Sequence, residues 1–290
     1  MFIFGCKKYI DFDEEIKESK IVVNGFVQNN EPALIHISRS LSVIDNASLN
    51  VINNATIKLF DGNGNFIENL GPFEDTIYQT NQTGMYRGTT LLNANSKYKI
   101  EVSAPSYKAV SSSTYIPEFN LTQTAPPDTL SVIDNQFDGA NTSFTFHFSD
   151  NGNEENYYGI KAYGIHSSSD PIAIWMNTDD ANIENKYGDE LLFKDDFVNG
   201  SVFDLKIKLP TNYYGNPYSD TLYIDTEKYD SIRFELNSYS RDMYLYKKSY
   251  QAYQNVDPFF SQPVQVYSNI ENGMGVFGGI KEDVFSIAIE

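Results

Sequence analysis

Adjacent acidic residues are the first groups in this sequence that could do chemistry. Asp179 and Asp180 form one pair, and Asp195 and Asp196 form another. Two carboxyl groups can hydrolyse a glycosidic bond when one donates a proton and the other acts as a base or nucleophile. That reaction depends on the distance between the groups in space, which the sequence does not give. Since the chain has 39 Asp and Glu residues, adjacent pairs are weak evidence for catalysis.

Histidine offers no stronger catalytic pattern. The three histidines are His36, His147 and His166, and their spacing matches neither the clustered ligands of a zinc site nor the partner of a nucleophile elbow. His36 and His147 instead occupy segments in which apolar and polar residues alternate, as they do in strands. We therefore expect no metal, no cofactor and no catalytic residues, and we predict that the protein is not an enzyme.

Two acidic loops are candidates for an ion site. Residues 61–65 (DGNGN) have the opening spacing of a calcium-binding loop, but its sixth and twelfth positions are Phe66 and Pro72, where Gly and a bidentate Glu are needed. We interpret this segment as a hairpin turn, because Gly and Asn tolerate positive φ. Residues 150–155 (DNGNEE) could also hold an ion, although we favour a solvated turn.

A third segment spells a nucleotide-binding fingerprint. Residues 273–278 (GMGVFG) match G-x-G-x-x-G, which binds dinucleotides where it joins a strand to a helix and an acidic residue follows about 20 positions later. Twelve residues follow Gly278 in this sequence, and residues 284–289 (VFSIAI) have the composition of a closing strand. We therefore exclude nucleotide binding.

Composition and charge narrow the class of protein further. The net charge of −18 argues against nucleic acid as a partner, because phosphate binding requires clustered Lys and Arg. A hydrophobic fraction of 41% with 21% charged residues is typical of a globular chain. The 21 Tyr and 20 Phe, without long stretches of helix-forming residues, favour strands. No segment approaches the ~20 apolar residues of a membrane-spanning helix.

The elements that would position these residues are mostly short strands. The sequence predicts an all-β protein with an immunoglobulin-like β-sandwich over residues 20–118 and a second β-rich, sandwich-like domain over residues 119–290. Pro117 and the pair at residues 126–127 mark the junction, because proline disfavours pairing in a ladder. The predicted strands are residues 20–28, 33–40, 55–60, 66–70, 75–80, 84–88, 97–103, 107–116, 143–148, 157–165, 202–209, 221–225 and 231–236.

One helix is predicted over about residues 240–254 (SRDMYLYKKSYQAYQ). Met243, Tyr246, Tyr250 and Tyr253 recur at spacings of three and four residues, so they form one stripe along its surface. A serine before the helix serves as its N-cap. A tyrosine stripe can stack on sugar, but we expect this one to pack on a sheet.

The N-terminal segment has the features of an export signal. Residues 3–6 (IFGC) resemble a bacterial lipobox, in which a small residue precedes a cysteine that is acylated and becomes the mature N-terminus. Cys6 is the one cysteine of the sequence, so it cannot form an internal disulfide. We expect residues 1–19 to comprise the remainder of a signal peptide, a lipidated Cys6 and a tether.

The order of several short motifs resembles the DUF4249 family, a Bacteroidota family of outer-membrane lipoproteins of unknown function. The C-terminal motifs are the most specific part, and the N-terminal motifs agree with them in order, so the resemblance spans nearly the whole chain. The motifs are Cys6, residues 21–25 (IVVNG), 61–65 (DGNGN), 244–246 (YLY), 257–260 (DPFF), 268–270 (SNI) and 273–279 (GMGVFGG).

The resemblance implies a location and a partner but no activity. Genes of this family are commonly neighbours of TonB-dependent outer-membrane receptors, which implies a non-enzymatic accessory or binding subunit, anchored by lipid at the cell surface, in uptake or assembly. No catalytic residues come with the resemblance. The alternatives are a glycan-active hydrolase and an adhesin or structural surface component.

Two further sets of residues are candidate sites. Tyr213, Tyr214 and Tyr218 form an aromatic patch in sequence that could contact a ligand or could be an ordinary turn. Four Asp-Ser/Thr-aliphatic tripeptides resemble O-glycosylation sites of Bacteroidota, although strand starts produce the same pattern by accident. Their hydroxyl groups belong to Thr76, Thr129, Thr221 and Ser231.

Replacement of Cys6 tests the lipid anchor. Because the thiol is the expected acyl acceptor, the full-length native protein should incorporate labelled fatty acid and partition into detergent, whereas Cys6→Ser should do neither. Metabolic labelling followed by detergent phase separation measures both properties. Normal labelling of the variant would show that Cys6 is not the anchor.

Overall fold

The computed structural model of the protein describes residues 18–41, 50–73, 83–118, 121–133, 140–152, 154–167, 170–183, 185–212, 229–255 and 264–288. This part of the chain consists mainly of β-strands in two sheets, with one α-helix. The predicted all-β class with a single helix is therefore confirmed.

The strands follow the alternation of the sequence closely. Each predicted strand that falls among the described residues coincides with an observed one, and the strand over residues 157–165 has the predicted bounds. The first seven strands are β1 (Ile21–Gln28), β2 (Leu34–Arg39), β3 (Thr56–Asp61), β4 (Phe66–Pro72), β5 (Met85–Arg87), β6 (Ser96–Ser103) and β7 (Val110–Ile116). The elements that follow are β8 (Thr122–Ile133), β9 (Ala140–Ser149), β10 (Tyr157–Ile165), β11 (Ile172–Ile174), β12 (Met176–Asn177), β13 (Tyr187–Gly188), β14 (Glu190–Lys194), β15 (Val202–Asn212), β16 (Ser231–Tyr239), α1 (Arg241–Gln254) and β17 (Met274–Ala288).

A large sheet of 12 strands runs in the order β11-β10-β16-β17-β1-β2-β5-β4-β3-β6-β7, with β14 also paired to β10. Its far end curls back, since β7 lies against β17 and β1. The curled part encloses the first core, in which Ile21, Val23 and Ile37 of β1 and β2 pack with Ile57 and Ile100 of β3 and β6. All five side chains are buried, as the alternation requires.

A second sheet of five strands, in the order β13-β12-β15-β9-β8, covers the other end of the large sheet. Phenylalanine dominates the contact between these two layers. Phe146 of β9 makes edge-to-face contacts with Phe234 of β16 and Phe285 of β17, with ring centroids 4.9 Å and 5.4 Å apart. Such aromatic pairs contribute about 0.5–1.5 kcal/mol beyond the burial of their area. This second core lies on the opposite face of β10 and β16 from the helix.

The last strand, β17, joins both halves of the chain. It pairs in parallel with β1 and antiparallel with β16, and the first core also includes Ile270 and Phe277 from this C-terminal region. The large sheet therefore contains strands from both sides of residue 118. The division into domains at residues 20–118 and 119–290 stays a prediction.

Glycine makes the central position of β17 possible. At Gly275, where φ is +100°, an added Cβ would lie 2.0 Å from the carbonyl oxygen of Val23, and at Gly279 it would lie 1.7 Å from that of Tyr115. The GMGVFGG segment is thus the start of a strand in close contact with β1 and β7, which explains its glycines without a nucleotide. The expected closing strand at residues 284–289 begins ten residues earlier, at Met274, because glycines have no side chains that show alternation.

The strand β8 corrects the expectation that the prolines interrupt pairing. It spans Thr122–Ile133 and includes Pro126 and Pro127. It lies at the edge of the five-stranded sheet, and its ladder with β9 shifts register on both sides of Ala125. An edge strand can accommodate proline where its N–H side faces outward or at a bulge, so the two prolines distort the strand without ending it.

Ser240 fixes the start of the helix on the sheet. Its hydroxyl accepts hydrogen bonds from the backbone N–H of Met243 at 3.3 Å, which is the N-cap bond, and from the N–H of Gly279 at 3.0 Å. Thr114 of β7 donates its own hydroxyl to the same oxygen at 3.2 Å. Gly278 lets the helix approach, since an added Cβ there would lie 2.6 Å from the Cβ of Met243.

Replacement of Gly279 by Ala tests this junction. The new methyl group would overlap the Tyr115 carbonyl, which is backbone and cannot rotate away, so we expect the free energy of unfolding to fall by about 3 kcal/mol or more. Gly71→Ala in β4 is the matched control, because an added Cβ there meets no atom within 4 Å. Urea unfolding measures both variants, and equal losses would show that the contact with Tyr115 is unimportant.

Candidate functional site

A large concavity with aromatic and charged walls lies between α1 and the outer face of the large sheet. This helix cleft has a volume of about 730 Å³. Residues of β1, β2, β10, β16 and β17 form its floor, and Tyr246 and Tyr250 of α1 form its wall. A cleft of this size is within the usual range for ligand sites of about 300–1,000 Å³.

The floor of the helix cleft is charged because of strand alternation. Ile160 of β10 and Phe234 of β16 enter the second core, so their neighbours Lys161 and Glu235 point to the other face. Lys161 lies opposite Glu235 in one ladder and opposite Glu190 of β14 in the next. Since directly opposed residues share a face, three charged side chains gather beside the helix.

Glu190 is occupied by structural partners. Its carboxylate side chain is 8% exposed and lies 2.7 Å from the Lys247 Nζ, and it accepts a hydrogen bond from the Tyr239 hydroxyl. Burial and the Glu190 charge raise the pKa of Tyr239 well above its usual value, so the hydroxyl remains a donor. The Glu190 carbonyl accepts a hydrogen bond from Gln251 Nε2 at 2.9 Å. Glu190 therefore attaches the helix to the sheet.

Lys161 and Glu282 are available to a ligand, since neither makes a direct side-chain hydrogen bond within the described part of the chain. Glu282 lies opposite Asn237. Burial raises the pKa of Glu282 and the charge of Glu235 raises it further, whereas Lys161 lowers it. Burial alone would lower the pKa of Lys161, but the charges of Glu190 and Glu235 contribute to a net increase. Lys161 thus stays a cation beside a carboxyl group.

Three tyrosines form a ladder on α1. The rings of Tyr246 and Tyr250 are 5.9 Å apart and within 8° of parallel, and those of Tyr250 and Tyr253 are 6.4 Å apart at 23°. We expected the whole stripe to pack on a sheet, and that is wrong in part. Met243 is buried, but Tyr250 and Tyr253 are 42% and 55% exposed. The ladder runs along the polar cleft, and the buried tyrosine of the helix is Tyr244.

The acidic pairs singled out in the sequence have separate structural partners. Asp179 and Asp196 form ion pairs with lysines, and Asp180 accepts a hydrogen bond from a nearby backbone N–H in its own turn. Asp195 is 1% exposed, and one of its oxygens accepts a hydrogen bond from the Asn156 N–H at 2.9 Å. Each of the four carboxyl groups therefore has a partner of its own, although the second oxygen of Asp195 is buried without a hydrogen bond.

The two acidic loops behave differently from each other. Asp61 accepts hydrogen bonds from the N–H groups of Asn63 and Asn65, both at 2.9 Å, within the hairpin that joins β3 to β4, so the hairpin interpretation is confirmed. Asp150 is not a solvated turn residue, because it is 7% exposed. It accepts hydrogen bonds from the Tyr158 hydroxyl at 2.5 Å and the Gly200 N–H at 2.9 Å. Its loop is thus anchored to the core.

His36 and His147 lie on strands of different sheets, and His166 directly follows β10. His36 of β2 lines the helix cleft, and burial lowers its pKa. His147 of β9 lies between two carboxylates, with Nδ1 2.7 Å from Asp204 and Nε2 3.4 Å from Asp128. The hydrogen bond with Asp204 is the main cause of the raised pKa of His147. Within the described ranges, no group of three or more His, Cys, Asp or Glu is placed to hold a metal ion.

The remaining candidate residues are described only in part. Thr129 is exposed on the edge strand β8, and Ser231 is half-buried at the start of β16. In the same described part of the chain, no helix is long and apolar enough to cross a membrane. Cys6, Thr76, Tyr213, Tyr214, Tyr218 and Thr221 lie outside the described residues.

The helix cleft itself was not foreseen from the sequence. Its charged floor depends on Lys161, Glu190 and Glu282, which come from three distant segments. One signal was present, because Lys161 stands at a polar position in an otherwise apolar strand. The tyrosine stripe was the other signal, and its possible contact with sugar was noted as the weaker alternative.

The fold therefore defines an all-β protein whose described residues form two sheets with a single α-helix. The model for DUF4249, described as a domain of unknown function, matches residues 7–285. This chain belongs to that family, which confirms the resemblance. No curated protein matches the sequence.

One solved structure that aligns with the chain is described as "Complete structure of manganese lipoxygenase of Gaeumannomyces graminis and partial structure of zonadhesin of Komagataella pastoris". The alignment covers 94% of this chain and 96% of that one at 9% identity, with a TM-score of 0.20. A score that low carries no argument about fold or function.

Neutralising Glu282 should change how stability depends on pH. Because folding raises the pKa of Glu282, the folded protein holds this proton more tightly than the unfolded chain does. The charged carboxylate therefore lowers stability at neutral pH, and this loss disappears as pH falls through the folded-state pKa. Glu282→Gln should be more stable than the wild type near about pH 7 and equal to it below the unfolded pKa of ~4.3.

Urea unfolding across this pH range measures the difference. In a Lys161→Met background, the positive charge that lowers the pKa of Glu282 is gone. The folded-state pKa of Glu282 should then be higher, so Glu282→Gln should exceed its parent protein in stability near about pH 7 by more than it does in the wild-type background, while the two should still be equal below the unfolded pKa. A stability difference that does not vary with pH in either background would contradict the assignment.

Proposed function

We propose that this protein is a non-enzymatic, surface-exposed lipoprotein of the outer membrane that acts as an accessory or binding subunit of a TonB-dependent receptor system, in uptake or assembly. The observation that carries the binding role is the helix cleft. It combines the exposed Tyr250 and the half-buried Tyr246 with two charged groups that make no direct side-chain hydrogen bond to the described residues. Such a combination of aromatic walls and a few converging polar groups is typical of ligand sites.

The lipid anchor and the receptor partner rest on the sequence. Cys6 follows a lipobox-like tripeptide, and the first described strand begins at Ile21. A segment of about 14 residues between them spans at most about 50 Å when fully extended. An anchored protein would therefore stay close to the membrane, where diffusion in two dimensions raises its local concentration near a receptor, so that a weak contact is enough for association.

The distribution of carboxylates favours binding over hydrolysis. A glycosidase needs one protonated and one ionised carboxyl group across the scissile bond, and Glu282, with its raised pKa, fits the first role. For the second role, Glu190 and the neighbouring Glu235 are already paired, which leaves Asp189 as the other described carboxylate that lines the cleft. Glu235 is 2.8 Å from Arg233, and Glu190 is paired with Lys247. A glycan-active hydrolase is therefore the second candidate, and an adhesin or structural surface component is the third.

Purification from the native membrane tests the proposed function. The full-length protein with a C-terminal tag should be extracted by mild detergents together with a TonB-dependent receptor identified by mass spectrometry. Cys6→Ser is the control, because loss of the anchor should remove the protein from the membrane and reduce recovery of the receptor. Recovery of the lipoprotein alone in several mild detergents, together with release of sugar from surface glycan, would instead support the hydrolase.

A further inference from the structure

The chemistry of the helix cleft indicates which class of ligand it binds. We propose that the cleft binds an uncharged oligosaccharide, with one sugar ring stacked on Tyr250 and hydroxyl groups held by Lys161 and Glu282. This inference rests on the proposed function as a binding subunit and specifies the ligand of that site. The tyrosine wall, the polar floor and the charge balance each support it.

The wall supplies two nearly parallel aromatic rings at a suitable spacing. The C–H groups on one face of a sugar ring carry partial positive charge and stack on the negative face of an aromatic ring. Tyr250 is 42% exposed, and its ring is almost parallel to that of Tyr246 at 5.9 Å, a distance comparable with the length of one pyranose ring. The helix holds the two rings in place, so stacking needs little ordering of side chains.

The floor supplies a donor and an acceptor next to each other. The Lys161 ammonium can donate up to three hydrogen bonds to a ligand, and the Glu282 carboxylate can accept hydrogen bonds from it. A sugar hydroxyl both donates and accepts, so neighbouring hydroxyls on one ring satisfy both groups at once. Gln28 and Gln254 also line the cleft, and their amides add further donors and acceptors.

Charge and size exclude other classes of ligand. The cleft has two lysines, Lys161 and Lys247, against three carboxylates, Asp189, Glu190 and Glu282, so its charges nearly cancel and favour a neutral ligand. An apolar ligand would bury Lys161 and Glu282 without partners, which is unfavourable. The volume of about 730 Å³ accommodates a short oligosaccharide.

The test uses the full 290-residue chain with Cys6→Ser to prevent acylation, and the probes are maltotriose, cellotriose, xylotriose and triacetylchitotriose. Saturation-transfer NMR should show transfer from the protein to one face of at least one trisaccharide. Calorimetry should then show that Tyr250→Ala weakens its binding about tenfold, whereas Tyr250→Phe, which keeps the ring, changes it less than about threefold. Glu282→Gln should weaken binding by about tenfold as well.

Phe66→Ala is the matched control, because Phe66 is a 54% exposed aromatic residue on the β3–β4 hairpin and its loss should leave binding unchanged. No transfer to any trisaccharide at millimolar concentration, or equal binding by Tyr250→Ala and the wild type, would overturn the proposal. If the receptor still co-purifies although no trisaccharide binds at the cleft, the proposed ligand is wrong and the proposed function as a receptor subunit is retained. If a trisaccharide binds but is cleaved, the ligand class stands and the non-enzymatic role fails.

Discussion

The architecture depends on one close approach of backbones at Gly279. There β17 comes so near the carbonyl of Tyr115 that a side chain of any kind would overlap it, and the N–H of Gly279 donates to the Ser240 hydroxyl at 3.0 Å. The same hydroxyl caps α1. One junction therefore closes the curled sheet against β7 and fixes the start of the helix that walls the cleft, so the geometry of the candidate site follows from a packing constraint.

Local patterns in the sequence accounted for most strands and for the helix, because alternation and spacing depend on neighbours along the chain. These patterns failed where the residues have no side chains to alternate, and where the structure of a segment depends on residues that are distant in the sequence. The first part of β17 was not predicted as a strand, because its glycines show no alternation of apolar and polar side chains. The prolines at residues 126–127 were expected to separate two domains, but they lie in an edge strand with an irregular register. Burial of Asp150 could not be anticipated, because its partner Gly200 lies 50 residues away.

The helix cleft could not be predicted from the sequence either, because its residues come from segments that are distant along the chain. Lys161 indicates a charged surface only when its neighbours in the sheet are known. Those neighbours are Glu190 of β14 and Glu235 of β16. The stripe of tyrosines was visible, but whether it packs or remains exposed depends on the surface beneath it. An apolar sheet face would have covered the rings, whereas the charged floor leaves Tyr250 accessible. The proposed binding site depends on the polar side of a strand whose apolar side was easy to recognise.

The position of β17 has a consequence for how the chain folds. This strand, residues 274–288, lies in the middle of the large sheet and pairs in parallel with β1, so its partners are separated by most of the chain. Non-local pairing of this kind slows folding, because the entropy of closing a long loop is lost before any contact forms. During synthesis, β1 and β16 emerge with edges that stay unpaired until the last strand is made. The nascent chain is thereby kept from closing its sheet before its last residues have been made.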